Sequence, residues 1–167
     1  FAVQWKLRAL KGSRPLQAWV SHPLDYLTPT QAPDATSRKQ ISVFMMRGEW
    51  RSAVLNLTSS MDRPASILLR LEGLPGGPNP DYINVYQVQW TDTKEQKPIA
   101  VALSGTALSK EGYTIDLPAG MVRQVWFTFH PVNLAPGTYS GKVVVRQAGG
   151  KTLTVPLSLR VFPMTFP

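Results

Sequence analysis

The residues able to do chemistry in this chain are few and scattered. Its two histidines both precede proline, in His22-Pro23 and His130-Pro131, and neither has a second ligand at metal spacing. A lone histidine at a strand end is more often a hydrogen-bonded structural group than a ligand or a base. Cysteine is absent, which removes disulfides, thiolate metal sites and thiol nucleophiles together. The acidic candidates are Asp25, Asp34, Glu49, Asp62, Asp81, Asp92, Glu111 and Asp116. Most of them fall at turns, where an Asp satisfies backbone donors. Glycosidase carboxylates must flank a bond at a defined separation, and no spacing here favours that. Ala102-Leu103-Ser104-Gly105 lacks the first glycine of a nucleophile elbow. Gly73, Gly76 and Gly77 precede no Lys-Ser/Thr pair or helix start, so they form no phosphate cradle. The expectation is a domain with no catalytic residue, no metal site and no cofactor.

Two other patterns invite a reading. Asn56-Leu57-Thr58 has the form of a glycosylation sequon, but it falls inside an expected strand and reads as chance. The tryptophans are Trp5, Trp19, Trp50, Trp90 and Trp126. Trp90 shares the apolar face of its strand and is expected in the core. Trp126 shares parity with Gln124, Thr128 and His130, on the more polar face of its strand. Such a ring can stack on a carbohydrate or anchor a neighbouring domain; the alternative is that both faces of this strand are buried.

The elements that must position these residues have a period of two. Leu153, Val155, Leu157, Leu159 and Val161 alternate with polar residues, as a half-buried strand does. Ala65 to Glu72 and Tyr82 to Trp90 alternate likewise, the latter with Tyr82, Tyr86, Val88 and Trp90 on one face and Gln87 and Gln89 on the other. Further strands are expected over Val3–Ala9, Leu16–Ser21, Gln40–Met46, Arg51–Thr58, Met121–His130 and Thr138–Gln147, and no stretch holds helical spacing for three turns. Leu74 to Pro80 cannot continue a strand, because its prolines lack ladder donors and its glycines are too free. Ala135-Pro136-Gly137-Thr138-Tyr139 and Pro118-Ala119-Gly120 read as tight turns, Ala148 to Lys151 as a hairpin turn, and Thr28 to Ser37 as a long exposed loop. Around ten short strands so spaced predict an all-β, antiparallel two-sheet sandwich, immunoglobulin-like or related. Strand pattern alone leaves closure into a barrel open.

The 167 residues, 43% hydrophobic and 17% charged, suit one core and not two. The net charge of +8 is spread along the chain without a dense basic stretch or interleaved aromatics, so no nucleic-acid partner is expected. No apolar run approaches the roughly 18 residues of a membrane span. The chain opens on Phe1, so a leader, a tag or a larger piece of chain is expected upstream.

The segment from Leu117 to Val145, with Pro118-Ala119-Gly120, Trp126 to Pro131 and Ala135 to Val145 as its landmarks, resembles immunoglobulin-like modules of bacterial extracellular carbohydrate-active proteins. Ile41 to Ala53, with its Arg47-Gly48-Glu49 turn, resembles a narrower group, as do Trp19 to Leu24 and Leu159 to Pro167. That group is the N-terminal β-sandwich that precedes the catalytic barrel in proteins similar to family-123 glycoside hydrolases and their uncharacterised relatives. The resemblance covers most of the chain from Trp19 onward. It implies that the catalytic acids lie in a following domain, so no catalytic residue is carried onto this chain. Residues 1–167 are accordingly expected to form a single domain excised from a larger chain, with 1–15 an added strand or a linker. Its expected partner is a neighbouring domain of the same chain, and its expected place is extracytoplasmic: periplasmic, cell-surface or secreted. The alternatives are a carbohydrate-binding module using Trp126, and a free-standing periplasmic chaperone or adhesion protein of immunoglobulin type.

Overall fold

The computed structural model describes residues 15–147, 150 and 152–167. The strand expected at Val3–Ala9 and most of the turn at 148–151 lie outside the described residues. The described residues form ten strands: Leu16–Trp19 (β1), Ile41–Arg47 (β2), Arg51–Ser59 (β3), Ala65–Glu72 (β4), Ile83–Asp92 (β5), Pro98–Gly105 (β6), Tyr113–Leu117 (β7), Val122–Phe129 (β8), Gly137–Gln147 (β9) and Thr152–Thr165 (β10). They make two five-stranded sheets, in the orders β1-β3-β8-β5-β6 and β2-β10-β9-β4-β7. The pairings are antiparallel except that of β10 with β2, which is parallel. The core fills the space between the sheets, with Leu55, Leu57, Phe127 and Phe129 from one and Ile67, Leu69, Val143 and Leu159 from the other, all buried. Each such side chain contributes about 1.5–3 kcal/mol of transfer free energy, which is the main driving force for the two layers to pair. Tyr139, at the start of β9, donates from its hydroxyl to the Ala135 carbonyl at 2.7 Å and so closes the Ala135–Tyr139 turn, as the tyrosine corner of immunoglobulin-type sandwiches does.

β6, the run Pro-Ile-Ala-Val-Ala-Leu-Ser-Gly, escapes the alternation rule, whereas β7, five residues long, keeps it, with Tyr113, Ile115 and Leu117 buried and Thr114 and Asp116 exposed. Both are sheet edges. A second departure concerns β5. Ile83, Val85 and Gln87 point to the core side, and Tyr86, Val88 and Trp90 point outward, opposite to the expected facing. The reason is that the first sheet is covered on both faces. The loop between β1 and β2, expected to be exposed, folds back over its outer surface: Pro29 accepts from the Val122 amide and Gln31 from the Thr58 hydroxyl, both at 2.8 Å. Beneath the loop a second small cluster forms from Trp19, Leu27 and Val122, with Trp90 and Ala100 against it. Trp90 therefore belongs to this outer cluster and not to the main core, and its indole nitrogen donates to the Val122 carbonyl at 2.8 Å.

The short edge strand β7 is tied across to the other sheet by side chains. Gln87 of β5 accepts from the Asp116 amide at 2.8 Å and donates to the Thr114 carbonyl at 3.5 Å. Arg123 of β8 donates to the Asp116 carbonyl and to the Val88 carbonyl, both at 2.7 Å. These side chains occupy backbone groups that would otherwise invite an added strand.

Candidate functional site

Two surfaces gather the residues singled out by the sequence. The first is one pole of the sandwich, formed by the β2–β3 turn, the β4–β5 loop, the β8–β9 loop and the end of β10. The β2–β3 turn is built by its own residues. Gly48 takes φ +73°, a conformation that side chains rarely adopt. Glu49, buried, accepts from the Met46 amide at 2.8 Å and pairs with Arg51 Nε at 2.7 Å. The Gly48 amide donates to the Pro131 carbonyl at 3.2 Å, which joins this turn to the segment after β8. Trp50 is thereby laid flat on His130, with ring centroids 3.9 Å apart and planes within 6°. The histidine amide donates to the Tyr82 carbonyl at 2.8 Å, and its Nδ1 lies 3.4 Å from the Glu49 carbonyl. His130 is thus a packed, hydrogen-bonded ring.

Around this stack, apolar side chains stand in solvent. Trp50 is 60% exposed, Val132 and Met164 54%, and Phe166 49%. The Phe166 amide donates to the Arg47 carbonyl at 2.9 Å and Arg47 Nη2 to the Thr165 hydroxyl at 3.1 Å, so the end of β10 is held beside the same turn. A cavity of about 420 Å³ adjoins them, walled by Pro75, Asp81, Tyr82, His130 and Asn133 among others. Burial above all, then Tyr139 and Asp81, pushes the Tyr82 phenol up to about 12. It stays protonated near neutrality and donates to the Pro75 carbonyl at 2.8 Å, which fastens the β4–β5 loop.

The second surface is the outer face of the first sheet beyond the covering loop. Strand register lays it out in rungs. Ser52, Thr128 and Asn84 make one rung, Val54, Trp126, Tyr86 and Gly105 the next, and Asn56, Gln124, Val88 and Leu103 the third. Trp126 and Tyr86 are half-buried neighbours on adjacent strands, and the space that a Cβ on Gly105 would enter is empty. In the third rung Gln124 Nε2 donates to Asn56 Oδ1, and Asn56 Nδ2 donates to the Ser21 hydroxyl, each at 3.0 Å. The sequon asparagine is therefore fully buried, its amide engaged on both sides, and unavailable for modification in the folded chain. Gln124, on the face expected to be polar, is buried as well, while Trp126 is partly open.

The remaining candidates do not converge. His22 lies in the β1–β2 loop, where its Nδ1 accepts from the Leu24 amide at 3.2 Å and its own amide donates to Asp25 at 2.9 Å. Asp34 closes a turn in the same loop; hydrogen bonds from the side chains of Thr36 and Ser37 hold its carboxyl below the usual range. Among the described residues no group of three or more His, Cys, Asp or Glu side chains comes together as a metal site would require. No helix there is long and apolar enough to cross a membrane. Trp50 carries the pole although its sequence context singles it out only weakly: it is a tryptophan directly after a Gly-Glu turn. Tyr86 becomes a platform residue only through its register with Trp126.

No family model and no curated protein matches the chain. Among solved structures it is similar to a family 123 glycoside hydrolase from Clostridium perfringens, described for glycolipid glycan hydrolysis, with TM-score 0.64 and 14% identity. That match covers 91% of this chain and 28% of the hydrolase chain. Weaker likenesses include a FixG-related protein from Vibrio parahaemolyticus (TM-score 0.44, 12% identity, 89% of this chain and 97% of that one). Another is the periplasmic chaperone SfaE (TM-score 0.40, 9% identity, 77% and 58%). At these scores neither bears on function. The chain is an all-β, two-sheet sandwich of immunoglobulin-like or related architecture, spanning little more than a quarter of the hydrolase it resembles in shape.

Proposed function

We propose that this chain is a non-catalytic, extracytoplasmic accessory domain of a larger glycoside-hydrolase-like protein, and that it docks on the neighbouring domain through the Trp50 pole. The observation that carries this reading is the collection of exposed apolar side chains at one end, Trp50, Val132, Met164 and Phe166, on elements hydrogen-bonded to one another. An exposed apolar group of this kind is costly to leave in water and is characteristic of interaction sites. The likeness in shape to part of a family 123 glycoside hydrolase supports the choice of partner class. The isolation of both histidines supports a role without acid–base chemistry. The pole is built for contact and rigidity: the Trp50–His130 stack and the Tyr82 hydrogen bond hold three separate loops in one surface.

The mass of the native protein tests this directly. An immunoblot of the source cells with an antibody to this domain is expected to give a band far above 18.5 kDa. A band near that mass overturns the proposal and favours a free-standing binding or chaperone-like protein.

A further inference from the structure

We infer that the outer face of the first sheet, around Trp126 and Tyr86, is a binding site for a neutral saccharide. Trp50 and His130 follow two residues beyond the Ser52–Thr128 rung, so the site adjoins the Trp50 pole, but it does not depend on the docking role proposed for that pole. The chain carries a net charge of +8, yet none of the three rungs of this face bears a charged side chain. A ligand recognised by charge, such as a phosphate or a polyanion, finds no partner there. What the face does present is an aromatic pair beside a row of hydroxyl and amide groups. Trp126 and Tyr86 lie directly opposite each other across β8 and β5, and Ser52, Thr128 and Asn84 make the rung one repeat further along. Rungs on one face of a sheet are spaced roughly 7 Å along the strands. A ring lying over the aromatic rung thus brings its hydroxyls to the polar one. Aromatic faces accept the C–H side of a sugar, and hydroxyl or amide groups satisfy its O–H side.

The surroundings prepare this surface. The buried Ser21–Asn56–Gln124 hydrogen bonds lie immediately behind Trp126 on the same face, so the floor there is rigid before any ligand arrives. On the far side, Gly105 stands opposite Tyr86 with open space above it. The β1–β2 loop covers the Trp19, Trp90 and Val122 end of the sheet and reaches Asn56 through Ser21. Asn56, Gln124 and Val88 are thereby buried, and the open part of the face runs from Trp126 and Tyr86 to Ser52, Asn84 and Gly105.

The test uses the 167-residue chain, soluble neutral glycans (N-acetylglucosamine oligomers, xylan, mixed-linkage glucan) and two polyanions, heparin and polygalacturonate. Readouts are affinity electrophoresis and the indole N–H signals, with that of Trp126 assigned from its loss in Trp126→Phe. At least one neutral glycan is expected to retard the chain and move the Trp126 signal. Trp126→Ala is expected to weaken this roughly tenfold or more. Gly105→Leu, which fills open space and leaves the core untouched, is expected to weaken binding similarly. That variant decides the matter if Trp126→Ala does not fold. Trp50→Ala is expected to bind as the parent does. Retardation by the polyanions alone, no movement of the Trp126 signal at millimolar neutral glycan, or binding lost in Trp50→Ala and kept in Gly105→Leu would each overturn the inference.

Discussion

Tyr82 illustrates how little a residue's type says before its neighbours are known. Its phenol is pushed up from 10.0 to about 12, chiefly by burial. The folded chain therefore holds this proton more tightly than the unfolded one. The stability this phenol contributes is constant below about pH 10, falls as pH rises through the interval to about 12, and levels beyond it. Urea midpoints measured from pH 8 to 12 should show a decline that Tyr82→Phe reduces, the remainder including Tyr113, whose phenol is also pushed up by burial. At neutral pH the same substitution should cost about 1 kcal/mol, the usual worth of a hydrogen bond such as that to Pro75. At this scale the sequence was most informative about Asn56, read as a chance sequon inside a strand and found buried. It was least informative about exposure. Nothing in the alternation around Trp126 says that Gln124 is buried two residues away while the indole is partly open.

Among the elements, β7 alternates strictly, with Tyr113, Ile115 and Leu117 buried, but over only five residues, too short a run to stand out in the sequence. Its unpaired side is satisfied by Gln87 and Arg123 from the opposite sheet. In the sequence Gln87 belongs to the polar half of an alternating strand, yet it points inward, 6% exposed, because its amide replaces a missing strand. Gln87→Leu is expected to destabilise the fold by about 1–3 kcal/mol, since it strands backbone groups of β7 without partners. It should also accelerate hydrogen exchange at the Asp116 amide more than at amides of β9, and equal acceleration at both would argue against a local tie. Burial lowers the affinity of Arg123 for its proton, with Asp116 opposing, so the guanidinium is held by acceptors and not by water. The strong strands β4, β9 and β10 were legible because each sets apolar residues toward one layer and polar ones toward solvent. β5 was misfaced because both of its sides are covered.

For the whole molecule, the contrast between its layers and its pole is the useful measure. Phe127, wholly buried between the sheets, is expected to cost about 3–5 kcal/mol when cut to Ala. Trp50 is as large but mostly in water. Trp50→Ala should cost the isolated chain less than about 1 kcal/mol in a urea titration, since its removal leaves no cavity. A loss as large as that of Phe127 would make the indole a structural plug and not a contact surface. The sequence by itself determined the all-β class and the principal strands and turns, because two-residue periodicity and the conformational limits of Pro and Gly act locally. The choice of two open sheets over a closed barrel came from the strand pairing. Only the tertiary structure decided which face of β5 meets the core, where the β1–β2 loop lies, that His130 is stacked under Trp50, and that Trp126 stands beside Tyr86. Those outcomes depend on which strands pair and in what register, and register is settled by contacts between residues far apart in the chain.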